Sequence, residues 1–227
     1  MKKFVLIVAG GSGSRMGTEI PKQFLDLCGI PVLMHTIQVF YEFDPNCDLI
    51  LVLPETQQKY WAGLCLKHSF SIPHQIVSGG ETRFHSVENG LSRIKGEGII
   101  FLHDGVRPLV SRETLGRCFD TAQKNGNAIP VLPVCESLRK LDGTKNISVD
   151  RSLFFSVQTP QTFRTNQIRE AYLQSFDSCF TDDASVVEKA GFSIHLVDGN
   201  HENIKITNPT DLIIAEAFLL NKHMKHP

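Results

Sequence analysis

Phe4-Val-Leu-Ile-Val-Ala9 runs directly into Gly10-Gly-Ser-Gly-Ser-Arg-Met-Gly17 and on to Pro21-Lys22-Gln23. Six consecutive apolar residues read as a buried strand. The glycines that follow let the backbone turn tightly and present its N–H groups. Arg15 and Lys22 bring two positive charges to the same loop. Bare amides flanked by cations suit a polyphosphate rather than a neutral ligand. Ala9, Gly10, Gly11 and Gly13 are therefore candidate nucleotide contacts.

Two familiar phosphate motifs fail here. A dinucleotide fingerprint beginning at Gly11 finds Gly13 but meets Met16 where its third glycine belongs, and Ile30-Pro-Val-Leu33 offers no acid for a ribose. An NAD-dependent oxidoreductase is thus disfavoured. A P-loop needs Gly-Lys before Ser or Thr, and the chain has no Gly-Lys pair. The remaining pattern, Gly-Gly-x-Gly-x-Arg-Met-Gly followed by Pro-Lys-Gln, resembles nucleotidyltransferases that activate sugar and polyol phosphates with a nucleoside triphosphate.

Outward from this stretch, strands and helices alternate. Helices are predicted over 32–43, 55–68, 83–94 and 111–124, and strands over 48–53, 75–77, 98–102 and 128–131. Such alternation implies an α/β fold, a mostly parallel, doubly wound Rossmann-like sheet with helices on both faces. Ligands bind beyond the carboxyl ends of strands in such sheets. The first loop, Gly79-Gly80 and His103-Asp104 all fall there. From Pro133 to Gln158 the pattern changes, and alternation around Asp142-Gly143 predicts an inserted β-hairpin arm at about 134–157. An arm with little core of its own leans either on another subunit or on its own chain. Helices at about 166–175, 182–190 and 209–220 and a strand over 193–197 complete a single domain.

The formal net charge of −1 gives no general field for nucleic acid or a membrane surface. No apolar run approaches a membrane span. Met1-Lys-Lys before Phe4 imitates a signal peptide, but the apolar core is too short, so a cytoplasmic protein is expected. Six scattered cysteines without a C-x-x-C pair predict buried free thiols, and no His pair has zinc-helix spacing.

His103-Asp-Gly-Val-Arg-Pro108 follows a strand. Asp104 there can share a Mg²⁺ with phosphate oxygens; Arg107 either pairs with Asp104 or meets a phosphate. His103 is expected to pack rather than act as a base. Gly79-Gly-Glu-Thr-Arg83, with Ser86, offers glycines that a flat base can approach, although Thr82 capping the next helix explains the stretch equally well. Asp182 or Thr181 is a candidate cap for another helix. Lys205 between Ile204 and Ile206 has a definite face if that segment is a strand. With Arg151 it makes a candidate anion site for the acceptor.

These residues, with Val149-Asp-Arg151, Thr159-Pro-Gln161, Thr181-Asp-Asp-Ala-Ser185 and Asn203-Ile-Lys205, resemble the 2-C-methyl-D-erythritol 4-phosphate cytidylyltransferase family across nearly the whole chain. The resemblance implies CTP, a polyol phosphate, Mg²⁺ and a homodimer whose crossed arms complete each other's acceptor site. It implies that Arg15 and Lys22 stabilise the transition state, that Asp104 assists the metal, and that Arg151 and Lys205 position the acceptor. It further makes Arg107, Ser137, Thr159 and Thr181 substrate contacts. Two departures stand out: Ala9-Gly10 where many members carry two alanines, and Ser137 where threonine is expected. Ribitol-5-phosphate cytidylyltransferases share the first half and are the sharpest rival, with a non-catalytic CTP-sensing module a reading from another class.

Overall fold

The computed structural model describes residues 1–11 and 20–225, with the side chains of 222–225 left out. In chain order come β1 (Lys3–Val8), a 3-10 turn (Lys22–Phe24), the short pair β2 (Asp26–Leu27) and β3 (Ile30–Pro31), α1 (Val32–Phe43), β4 (Asp48–Leu53), α2 (Glu55–Lys67), β5 (Gln75–Ser78), α3 (Arg83–Leu91) and β6 (Ile99–Asp104). Then follow α4 (Arg112–Asn125), β7 (Asn127–Pro133), β8 (Leu138–Asp142), β9 (Lys145–Val149), a 3-10 turn (Arg151–Leu153), β10 (Phe155–Val157), β11 (Gln161–Arg164), α5 (Thr165–Ala171), α6 (Asp183–Lys189), β12 (Leu196–Asp198) and α7 (Pro209–Lys225).

The main sheet runs β10-β7-β11-β6-β1-β4-β5, with β12 also on β7. β1 lies between β6 and β4, parallel to both, and β5 continues the parallel half. Beyond β6 the ladder turns antiparallel through β11 and β10. These two short strands are not legible in the sequence, because Gln161 and Thr162 bury polar groups in a four-residue strand with no alternation. β1 explains its own composition. Phe4 and Leu6 pack into one core with residues of α3, α5 and α6, while Val5, Ile7 and Ala9 face a second core with α1 and α4. Each fully buried aliphatic contributes about 1.5–3 kcal/mol, so a strand covered on both faces is apolar throughout.

Trp61, the only tryptophan, is fully buried on α2. Its ring stacks on Phe24 at 6.1 Å between centroids, and its Nε1–H donates to His74 Nε2 at 3.0 Å. The arm is the β8–β9 ladder, with Asp142 paired to Lys145. The two turn residues are therefore Gly143 and Thr144, one position later than the Asp-Gly reading, and Gly143 takes φ +60. All six cysteines are free, but only Cys118 is buried; Cys28, Cys135 and Cys179 are exposed, which corrects the expectation of buried thiols. Among the described residues no helix is long and apolar enough to cross a membrane.

Candidate active site

The parallel strands end together, and each hands one more hydrogen bond to the loop that follows. Ala9 N–H donates to Val52 O at 3.0 Å, Gly79 N–H to Leu53 O at 2.9 Å and Gly105 N–H to Val8 O at 2.9 Å. Gly105 has to be glycine: a Cβ there would lie 2.7 Å from the Ala9 Cβ. The strand ends enclose a cleft of about 460 Å³ whose lining includes Ala9, Gly10, Gly11, Lys22, Gly79, Gly80, Arg83, Ser86, Asp104 and Lys205. The Lys22 stem passes beside Gly11, its Cε 3.7 Å from where a Cβ would stand. Gly13 and Arg15 lie outside the described residues.

Gly80 turns the chain onto α3, and a Cβ there would sit 2.4 Å from the His85 Cβ. Its N–H donates to Ser86 Oγ at 3.0 Å, and Thr82 caps α3 by accepting from His85 N–H. The same residues thus form both the helix start and one wall of the cleft.

Asp104 is the electrostatic centre. Its Oδ2 accepts from Lys205 Nζ at 3.0 Å and from Arg107 Nε at 3.3 Å, and Arg83 Nε stands 3.9 Å from Oδ1. Burial alone would raise the Asp104 carboxyl, but Arg83, Lys205 and Arg107 together hold it well below the usual carboxylate range. Beneath it, Thr159 Oγ1 accepts from the Asp104 N–H at 3.1 Å and meets His103 Nδ1 at 3.0 Å, while His103 Nε2 meets the Arg107 carbonyl at 2.9 Å. A carbonyl only accepts, so Nε2 carries the proton and Nδ1 takes the threonine O–H. Burial, opposed by the bond to Arg107 O, pulls the His103 pKa down to about 4. The ring is a neutral spacer, edge-on to Phe40.

Several expected contacts lie elsewhere. Thr159 is buried and its hydroxyl is committed under Asp104, so it supports the site instead of facing substrate. Of the two possibilities for Arg107 the geometry takes the ion pair, with Nη1 also donating to the Asn203 carbonyl at 2.7 Å. Lys205 is not on a strand: Asn203–Thr207 pairs with no ladder, and Ile206 N–H bonds Val106 O instead. Ile206 is thereby buried while Lys205 stays half-exposed. Arg151 does not join Lys205 in this chain's cleft; it lies at the arm base, bonded to the Cys135 carbonyl. Ser137 is exposed beside β8. Thr181 is exposed ahead of α6, where Asp182 is the cap and forms a capping box with Ser185. Arg83 is the cleft residue that sequence reading passed over as a site residue. The available signal was Thr181-Asp182-Asp183: one acid suffices as a cap, and a second, buried acid requires a cation.

For a divalent cation the fit is partial but consistent. Among the described residues no three ligating side chains cluster. Asp104 is a single carboxylate whose Oδ1 receives no hydrogen bond from Arg83, Arg107 or Lys205. That donor set suits a Mg²⁺ held chiefly by phosphate oxygens.

A family model described as IspD, 2-C-methyl-D-erythritol 4-phosphate cytidylyltransferase, matches residues 3–221. A 2-C-methyl-D-erythritol 4-phosphate cytidylyltransferase of Phocaeicola vulgatus is 52% identical over 219 residues, which is 96% of this chain and 100% of the relative. The crystal structure of the enzyme so named from Thermus thermophilus superposes with a TM-score of 0.77 at 32% identity, covering 96% of this chain and 98% of that one. A 4-diphosphocytidyl-2C-methyl-D-erythritol synthase structure from Anaerococcus prevotii gives 0.81 at 26% identity over the same shares.

Proposed function

The chain belongs to the 2-C-methyl-D-erythritol 4-phosphate cytidylyltransferase family, and from that premise we propose that the cleft at Gly10, Gly79 and Asp104 transfers CMP from CTP to 2-C-methyl-D-erythritol 4-phosphate. The products are 4-diphosphocytidyl-2-C-methyl-D-erythritol and pyrophosphate, a step of non-mevalonate isoprenoid synthesis. The observation that carries the reading is a glycine-rimmed cleft at parallel strand ends in which one buried carboxylate, Asp104, is ringed by cations.

Gly79, Gly80 and Ser86 face the base, where backbone donors and acceptors distinguish a cytosine edge. The triphosphate lies along Gly10 and Gly11, with Arg15 and Lys22 matching the charge that builds on the α-phosphate. An acceptor phosphate oxygen attacks the α-phosphorus as the bond to the leaving pyrophosphate oxygen breaks. The acceptor is a phosphate monoester with a second pKa of about 6, so it is largely dianionic at neutral pH and needs no general base. That accounts for a site with ion pairs but no acid–base dyad among the described residues. Positioning and charge stabilisation lower the barrier. Mg²⁺, which Asp104 and the phosphates would hold, lowers the negative charge the incoming oxygen meets.

Lys205 is half-exposed, and Arg107 remains on Asp104 Oδ2 when the lysine turns away, so its ammonium is free to meet the acceptor phosphate. Arg151 and Ser137 reach a cleft only in a second copy: the arm region leaves Leu141, Ile147, Leu153, Phe154 and Phe155 exposed, as a homodimer contact requires. Six free cysteines accord with a reducing cytoplasm. The test is pyrophosphate release from CTP with Mg²⁺, comparing methylerythritol 4-phosphate with ribitol 5-phosphate. Release with the first alone is expected; release with the second alone would move the enzyme to polyol-phosphate activation, and none with either would leave a nucleotide-binding module.

A further inference from the structure

Behind Arg83 stands a buried pair with no place in the reaction described so far. Arg83 Nη1 and Nη2 each donate to one oxygen of Asp183 at 2.6 Å. Asp183 is fully buried, and Tyr172 Oη donates to its Oδ1 at 2.7 Å. The tyrosine ring in turn stacks on Phe84, the neighbour of Arg83, at 4.6 Å between centroids and 16° between planes. The clamp therefore closes on itself through adjacent residues.

The geometry has a consequence at Asp104. A guanidinium is a rigid planar fork, so seating both Nη groups on Asp183 fixes where Nε points. It points towards Asp104 Oδ1 but stops at 3.9 Å, outside hydrogen-bond reach. Oδ2 meanwhile takes both Arg107 and Lys205. We infer that Asp183, oriented by Tyr172, is a positioning residue that holds Arg83 off Asp104 and so keeps Oδ1 open for the divalent cation that arrives with the nucleotide. The inference rests on the reading of Asp104 as the metal carboxylate. If Asp183 loses its charge, the guanidinium of the partly buried Arg83 is released from its seat, and Asp104 is the anion beside it. Arginine and cation then compete for Oδ1.

The experiment is calorimetric titration of CTP into the full chain, once with Mg²⁺ and once with EDTA. The ratio of the two dissociation constants is the metal-dependent gain. Asp183→Asn keeps the shape and is expected to cut that gain about tenfold or more, the usual scale for residues that orient a metal ligand. Adding Arg83→Gln removes the competing cation and restores the gain, whereas a merely structural Asp183 would make the double variant worse. Tyr172→Phe should move the gain in the same direction by less, and it decides the matter if Asp183→Asn does not fold. An undiminished gain in Asp183→Asn, or no recovery in the double variant, overturns the inference. Asp104→Asn separates the two readings: if it leaves the gain intact, the metal assignment itself fails; if it abolishes the gain while Asp183→Asn does not, only the positioning role falls.

Discussion

At the ends of β1, β4 and β6, charge and shape are settled within one chain. Asp104 has its cations, Arg83 has Asp183, Gly105 fits against Ala9, and a neutral His103 fills the space below. Around the arm the opposite holds. Leu153 is 76% exposed and Leu141 77%, and Arg151 bonds a neighbouring carbonyl. The cleft is preorganised by the fold that carries it, as electrostatic catalysis requires. In the proposed homodimer the arm's exposed side chains would find their partners on the other subunit. Nucleotide handling is thus expected to be a property of one subunit, and acceptor handling a property of two.

The largest effect should come from the self-contained end. Lys22→Ala should lower kcat on the order of 10²–10³ with little change in Tm and no dependence on protein concentration. Steady-state kinetics over a dilution series checks this, and full turnover would remove Lys22 from the transition state.

Next is the interior beneath the cleft. His103 titrates near 6.5 when unfolded and at about 4 when folded. The unfolded chain therefore binds the extra proton first, and stability is lost as the pH falls through that window, by about 3 kcal/mol. Asp104 acts with the same sign in a lower window: its depressed pKa stabilises the fold above the unfolded value of about 3.9, and that stability is lost as the pH falls below it, so the two windows separate. Urea unfolding between the two His103 values should show the slope, and His103→Gln should flatten it. A wild-type slope retained in that variant would assign the effect to other groups.

The smallest signal sharpens the contrast most. Arg151→Ala should weaken acceptor binding, yet mixing it with Lys22→Ala under subunit exchange should restore roughly a quarter of wild-type activity at low acceptor. Each mixed dimer then joins one intact cleft to one intact arm. No recovery beyond the average of the parents would mean that the arm serves its own cleft.

What the sequence disclosed follows from what leaves a local mark. β1, the parallel half, the arm hairpin and the caps at Thr82 and Asp182 are all short-range patterns, and the structure carries each of them, with the hairpin turn one residue later than the Asp-Gly reading. β10 and β11 were hidden because three or four residues hold no period and long-range pairing supplies their stability. The readings at Thr159 and Arg107 meet one difficulty. A polar residue in a loop motif looks the same whether its hydrogen bonds point into the cleft or support it from behind. The Arg83–Asp183 pair spans 100 positions, a separation at which composition and spacing carry no signal.

Trp61 gives this enzyme a built-in optical reporter. It is the only tryptophan, its ring lies on Phe24, and Phe24 closes the 3-10 turn that Lys22 begins. Emission from the chain is consequently that of a single indole resting against the turn that Lys22 opens at the cleft. Its emission wavelength reads the posture of that turn directly, without any label attached.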